Sequence, residues 1–298
     1  MATALPVIAE NPYAAPMSEP SKAVLITGCS SGIGHATALR LLRAGYPVYA
    51  SARRLESIAD LKDAGCETLA LDVTDEQSMR AAVDAVEQAE GAVGVLINNA
   101  GYSQSGALET VSLDAARRQF ETNVFGLVRL TQLVLARMRE QRWGKIVNVG
   151  SMGGRLTFPG GGLYHASKYA IEAISDAMRF EVSGFGVDVI LIEPGLIVTR
   201  FGDTAAGSTD AAPSDGAYAD FNRAVAAGTE AAYKGPMRHL GAGPEAVAKT
   251  IARALAAKRP KTRYVITPSA HLLINQRRLT PDRVWDAMMR LQFPTPGR

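Results

Sequence analysis

The chain has 298 residues, of which 47% are apolar and 20% charged, with a net charge of +3. That is the balance of a globular chain long enough for one large α/β domain or two small ones, and the charge is too small to point to nucleic acid. Cys29 and Cys66 give no disulfide framework, the four histidines (His35, His165, His239, His271) show no metal-ligand spacing, and no apolar run reaches the ~18 residues that span a bilayer.

Residues 1–21 hold Pro6, Pro12, Pro16 and Pro20 but no Lys or Arg. They read as a flexible N-terminal arm rather than a secretory leader, with an arm reaching a neighbouring subunit as the alternative. Ala23-Val24-Leu25-Ile26 is then a short buried-type strand. It runs into Thr27-Gly28-Cys29-Ser30-Ser31-Gly32-Ile33-Gly34 and a helical pattern through Ala38, Leu41 and Leu42, closed by Gly45. Strand, glycine turn and helix start make a phosphate cradle, because glycines admit a pyrophosphate close to the backbone and the helix offers free N–H groups. The spacing Thr-Gly-x-x-x-Gly-x-Gly resembles the short-chain dehydrogenase/reductase family. That resemblance implies a dinucleotide held by Thr27, Gly28, Ser30, Ser31, Gly32, Ile33 and Gly34.

Pro47 to Arg54 reads as a second strand ending in two cations. Ala52 stands where an NAD-preferring fold carries an acid, and Arg53 and Arg54 follow it. An arginine can bind a 2′-phosphate that an acid would repel, so NADP(H) is expected over NAD(H). The alternative is that both arginines face water. Thr68 to Val73 is a third strand. The resemblance places Asp72 and Val73 at the adenine, whereas an Asp there can equally cap the helix that starts near Thr74.

Gly94-Val95-Leu96-Ile97-Asn98-Asn99-Ala100-Gly101 is a fourth strand and a polar turn. Its Asn-Asn-Ala-Gly is a signature of the same family. The two amides can satisfy backbone groups of neighbouring strands, so the turn reads mainly as structural, with contact of Asn99, Ala100 and Gly101 to the cofactor ribose as a consequence. One long helix is expected from about Ser112 to Arg139, with Asn123 as a misfit inside it. The resemblance gives Asn123 the task of bending that helix and holding a water that links the active lysine to solvent.

Gly144 to Ser151 is a fifth strand, with Ser151 at its carboxyl end. Gly153, Gly154 and Gly160 to Gly162 predict a flexible loop. The next helix, from about Tyr164 to Ser183, opens with Tyr164-His165-Ala166-Ser167-Lys168. Four residues apart on a helix, the phenol and the ammonium share one face. A free phenol titrates near 10, and a neighbouring Lys⁺ lowers that value. Lys168 beside Tyr164 therefore makes a tunable proton donor, and Ser151 can hold a substrate oxygen. The resemblance makes Ser151, Tyr164, Lys168 and Asn123 the catalytic set, with Tyr164 and Lys168 also touching the cofactor. His165 is expected to point away from the tyrosine's face. Ala166, Ala170, Ala173, Ile174, Ala177 and Met178 are expected to form the helix's apolar stripe, and the resemblance implies that subunits pair through this helix, as a homodimer or homotetramer.

Val187 to Thr199 is a sixth strand and its exit, broken at Pro194-Gly195. By resemblance, Pro194, Gly195, Ile197 and Thr199 lie against the nicotinamide. Residues 202–243 are expected to form a mobile substrate lid. Pro244 to about Lys258 is a helix, Arg263 to Pro268 a seventh strand, and two short helices near 271–278 and 282–291 end the chain. Between Glu245 and Asp282 there are eight Lys or Arg and no acid, read as a solvated face rather than a membrane patch. Met288, Met289, Leu291 and Phe293 read as core packing, with an apolar substrate or a partner subunit as the alternatives.

The expected architecture is a doubly wound, seven-stranded parallel sheet of Rossmann type, in three layers, with one catalytic domain over 22–298 and a C-terminal extension over about 269–298. The implied activity is an NADP(H)-dependent interconversion of alcohol and ketone or aldehyde, on a small molecule that is bulky and apolar, steroid- or retinoid-like. The expected location is cytoplasmic. A non-redox NADP(H) sensor, a lyase or epimerase on the same fold, and a structural oligomer are the alternatives. With no Gly-x-Ser-x-Gly elbow, a hydrolase is disfavoured.

Overall fold

A computed structural model describes residues 19–199 and 216–297. Residues 1–18 of the expected arm and 202–215 of the expected lid lie outside the described residues. Seven parallel strands form one sheet: β1 (Val24–Ile26), β2 (Val48–Ala52), β3 (Glu67–Ala70), β4 (Val95–Asn98), β5 (Gly144–Val149), β6 (Val187–Pro194) and β7 (Arg263–Ile266). Their order is β3-β2-β1-β4-β5-β6-β7. Ile26 is in register with Ala50 on one side and Ile97 on the other. The order reverses between β1 and β4, and the crevice outside the carboxyl ends at that point is where such sheets bind ligands.

The central strands are buried on both faces, which is why they read as unbroken apolar runs rather than alternating ones. Val24, Ile26 and Ile97 join α1 (Gly32–Arg43) and α8 (Pro244–Ala256) through Ala38, Leu41, Ile251 and Leu255. Leu25 and Leu96 point the other way. They meet Val83 of α3 (Glu76–Glu90), Leu130 and Val134 of α5 (Gly126–Glu140) and Met178 of α6 (Gly162–Ser183). Each such fully buried aliphatic side chain contributes about 1.5–3 kcal/mol.

A 3₁₀ turn (Leu55–Ile58) and the short α2 (Ala59–Asp63) connect β2 to β3. The described residues after β6 also form α7 (Ala219–Lys234), a 3₁₀ turn at Pro236–Leu240, α9 (Pro268–Leu279) and α10 (Asp282–Gln292).

The long helix expected at 112–139 is interrupted. α4 (Leu113–Phe120) is capped by Ser112, a π-helical turn occupies Glu121–Phe125, and α5 follows. Asn123 is the reason: its side chain is drawn sideways into bonds with a neighbouring segment, and a widened turn accommodates it. On α6 the expected stripe sits on the wrong face. Ala166, Ala173 and Ala177 are exposed, Ala170 and Ile174 half-buried, and only Met178 is buried. The inward face carries Ser167, Lys168, Ile171, Glu172, Ser175 and Val182. Hydropathy misreads this helix because much of its buried face is polar and satisfied by hydrogen bonds, Asn148 Nδ2 to Ser175 Oγ at 2.9 Å among them.

Candidate active site

The glycine turn is bolted down from the neighbouring strand. Thr27 Oγ1 accepts from Asn99 N and Ala100 N, both at 3.0 Å. Asn99 Nδ2 donates back to Thr27 O at 2.9 Å and Gly28 O at 3.1 Å. Asn98 turns the other way, to Thr131 Oγ1 and Asn148 Oδ1, so only one of the two amides serves backbone groups. Gly28 has φ +72°, and a Cβ there would stand 2.9 Å from Ala100 Cα. Ser31 begins α1 without a side-chain cap, and the first turn contains no acid. Its leading N–H groups are thus left to whatever anion lies in front of them.

That space is part of one continuous cavity of about 1550 Å³ along the carboxyl edge of the sheet. Gly28, Ser30, Ser31, Gly32 and Ile33 line it at α1, and Arg53 and Arg54 at the end of β2. Both arginines are exposed, and neither pairs with a described carboxylate. Asp72, Val73, Asn99, Ala100 and Gly101 form the adjoining wall, Thr199 stands beside Gly32, and Ser151, Tyr164, Lys168, Pro194, Gly195 and Ile197 line the other end. Thr27 and Gly34 do not reach the cavity. Thr27 is spent on the bolt, and Gly34 is small because a Cβ there would lie 2.5 Å from Gly28 O. Asp72 does not cap α3. Asp75 does, while Asp72 Oδ1 accepts from Thr74 N and Thr74 Oγ1.

Ser151, Tyr164 and Lys168 converge at this end. Lys168 Nζ lies 5.9 Å from the Tyr164 ring centroid and donates to Val149 O at 2.9 Å. Burial drives the Tyr164 phenol well above its ordinary value, Ser151 lowers it through a hydrogen bond, and Tyr233 of α7 adds to the rise. Burial also pulls Lys168 down to about 8. The expected lowering of the phenol by Lys168 is therefore not what the chain's own groups produce, because desolvation outweighs the contacts at this depth. Asn123 stands behind the wall. It accepts from Tyr102 N at 3.1 Å and donates to Tyr102 O and Ser167 Oγ, both at 3.0 Å. Ser167 Oγ in turn donates to Tyr164 O at 2.7 Å.

Several residues sit differently from the sequence expectation, and Trp285 carries no signal there. His165 points inward: its Nδ1 meets Gly153 O at 2.9 Å, and its Nε2 accepts from Phe158 N at 3.3 Å. Burial depresses its pKa, and the hydrogen bond to Gly153 opposes that shift. The segment after Ser151 is consequently not a free loop. Met152–Gly154 is a 3₁₀ turn, and Gly154 is glycine because a Cβ would stand 2.9 Å from both Lys168 O and Glu172 Cγ. At the far end, Met288, Met289 and Phe293 line the cavity instead of filling a core, whereas Leu291 is 88% exposed. Trp285 joins them, 6.1 Å from the Phe158 ring.

The family model described as short chain dehydrogenase matches residues 22–208. The chain belongs to the short-chain dehydrogenase/reductase family. It is 36% identical over 273 residues to an oxidoreductase of Escherichia coli (strain K12), YbbO, covering 90% of this chain and 94% of that one. It is 35% identical over 274 residues to an NADPH-dependent 3-dehydrocapnine reductase of Ornithobacterium rhinotracheale, covering 88% and 94%. A short-chain dehydrogenase structure from Streptomyces avermitilis superposes with a TM-score of 0.76 at 33% identity, covering 92% of this chain and 97% of the other. As a short-chain dehydrogenase/reductase, the protein is an oxidoreductase with a seven-stranded parallel sheet of the dinucleotide-binding type. Among the described residues no helix is long and apolar enough to cross a membrane, and no cluster of His, Cys, Asp and Glu is arranged for a metal.

Proposed function

We propose that the protein reduces a bulky, uncharged ketone or aldehyde to an alcohol with NADPH. The observation that carries this reading is the convergence of Ser151, Tyr164 and Lys168 at one end of a cavity that begins at the uncapped N-terminus of α1. The uncapped turn fits a pyrophosphate, and Arg53 and Arg54, exposed and without ion pairs among the described residues, fit a 2′-phosphate. The NADPH dependence of the Ornithobacterium relative supports the same choice. A bound nicotinamide supplies the hydride.

Tyr164 Oη gives its proton to the substrate oxygen, which Ser151 Oγ orients. A phenol kept protonated by burial suits the reducing direction. Lys168, next to the ring, provides the positive charge that makes proton release possible. Asn123 holds the backbone of Tyr164 through Ser167 and so fixes where the phenol points. The substrate end is apolar, with Phe158, Val225, Met237, Trp285, Met289 and Phe293 around it. No lining residue of α7, α9 or α10 carries a formal charge, and Thr229, the Tyr233 hydroxyl, Gln276, the Trp285 indole N–H and Gln292 are the polar groups these helices contribute. Such walls favour apolar, uncharged bodies over phosphorylated or carboxylated ones. Ala166, Ala173 and Ala177 share the outer face of α6 with Phe180, which is 87% exposed, and this face supports pairing with a second copy.

The test is oxidation of NADPH, followed by absorbance, across ketones that are small, bulky and apolar, or bulky and anionic. Turnover should be fastest with the bulky uncharged compounds. A preference for anionic ketones, or no oxidation with any carbonyl compound, would contradict the reading.

A further inference from the structure

We propose that Glu172 and Glu193 hold one proton between them, and that this neutral pair positions the segment after Ser151 against the Pro194-Gly195 turn. The positioning half rests on the reading of the site given above.

Glu172 lies on α6 one turn beyond Lys168, and Glu193 on β6 immediately before Pro194. They are 7% and 0% exposed. A single nitrogen, Arg263 Nε, stands 3.2 Å from Glu172 Oε2 and 3.3 Å from Glu193 Oε1. The two carboxyl groups are thus drawn to one point from two different elements. Their other oxygens, Glu172 Oε1 and Glu193 Oε2, are buried without a hydrogen-bond partner. Buried oxygens left without donors are expensive, and two adjacent carboxylates out of water repel. One proton resolves both, since a carboxyl O–H on one residue donates to the unpartnered oxygen of the other.

The charged groups around the pair are Arg263, Arg155, Asp176 and Arg179. Arg263 from β7 also meets Asp176 Oδ2 at 2.5 Å. Arg155, from the segment after β5, reaches Glu193 Oε1 at 3.2 Å. On α6 itself Asp176 is paired with Arg179 at 2.8 Å, and Lys168 is turned toward Val149 O. Burial, and then the charge of Glu193, push the Glu172 carboxyl up to about 8, the direction the geometry requires.

The pair sits directly beneath the catalytic segment. A Cβ on Gly154 would meet Glu172 Oε1 at 3.2 Å, and one on Gly150 would meet it at 3.7 Å, so both ends of the Ser151 stretch rest on this carboxyl. Arg155 ties the end of that stretch to Glu193 and therefore to the Pro194-Gly195 turn. Neither glutamate lines the cavity, which makes them positioning residues.

A carboxyl whose pKa is higher in the folded than in the unfolded chain lets stability fall as pH rises from the ordinary carboxylate range to the folded value. The experiment is the unfolding midpoint of the full chain between about pH 5 and about pH 9. It compares wild type with Glu172→Gln, which imitates the protonated carboxyl, and with Glu172→Ala. NADPH turnover at neutral pH is measured on the same proteins. The stability advantage of Glu172→Gln over wild type should grow up to about pH 8 and then level. Glu172→Gln should keep kcat/KM within about threefold of wild type, while Glu172→Ala should lose about tenfold or more. Parallel stability curves for wild type and Glu172→Gln would overturn the shared proton. Wild-type turnover in Glu172→Ala would overturn the positioning role; should that variant not fold, a large loss of turnover in folded Glu172→Gln would do the same. A wild-type protein with no reductase activity but the same pH-dependent gap would instead sink the functional reading and leave the proton in place.

Discussion

Lys168 Nζ donates to the carbonyl of Val149 at 2.9 Å while standing 5.9 Å from the centre of the Tyr164 ring. The last residue of β5 thereby holds the cation in place beside the phenol, two residues before Ser151. Burial leaves the ammonium with a pKa of about 8, below its ordinary value. On the proposed reading, the charge that assists Tyr164 is present below that pH and lost above it. Reductase kcat/KM is therefore expected to fall as pH rises through about 8. Lys168→Arg, which stays charged, should move that fall to higher pH. A lysine depressed by burial also disfavours the folded state wherever it is charged, so Lys168→Met should be at least as stable as wild type at neutral pH. Thermal unfolding of the variant checks this.

On the proposed reading, Arg53 and Arg54 carry the cofactor choice. Replacing both with Ala should raise KM for NADPH by about 10- to 100-fold, the size of one or two charge-assisted hydrogen bonds. KM for NADH should barely change, because NADH has no 2′-phosphate for them to bind. Equal losses for both cofactors would mean that the arginines support the turn rather than recognise the phosphate.

Thr27 is a structural prediction. Thr27→Val keeps the shape and removes the oxygen that Asn99 N and Ala100 N share. Two partly buried donors are left unmet, a destabilisation of about 1–3 kcal/mol, measurable by urea unfolding. NADPH binding should weaken in parallel, since the same bolt sets the glycine turn.

The sheet, its order and the run of motifs from Thr27 to Thr199 were legible because parallel strands buried on both faces leave continuous apolar runs, and turns that approach a ligand leave glycines. What escaped notice has equally physical reasons. The polar inner face of α6 defeats a reading by hydropathy, since Ser167 and Ser175 are buried by satisfaction rather than by apolarity, and Glu172 is drawn in by Arg263. The glycines at 153 and 154 suggested freedom, yet they are small because His165, Lys168 and Glu172 crowd them. The Glu172, Glu193 and Arg263 cluster joins three distant stretches, and no local pattern announces it. The wall of Trp285, Met288, Met289 and Phe293 looks like core in sequence, because a substrate cavity and a core are lined by the same residues.

The measurement that bears most directly on the account is Tyr164→Phe, assayed for NADPH binding by fluorescence titration and for turnover with the best bulky ketone. The variant should bind NADPH as wild type does and lose kcat by about 10²- to 10⁴-fold, the share that a positioned proton donor supplies. Turnover close to wild type in a variant that still binds NADPH would contradict the claim that this phenol delivers the proton.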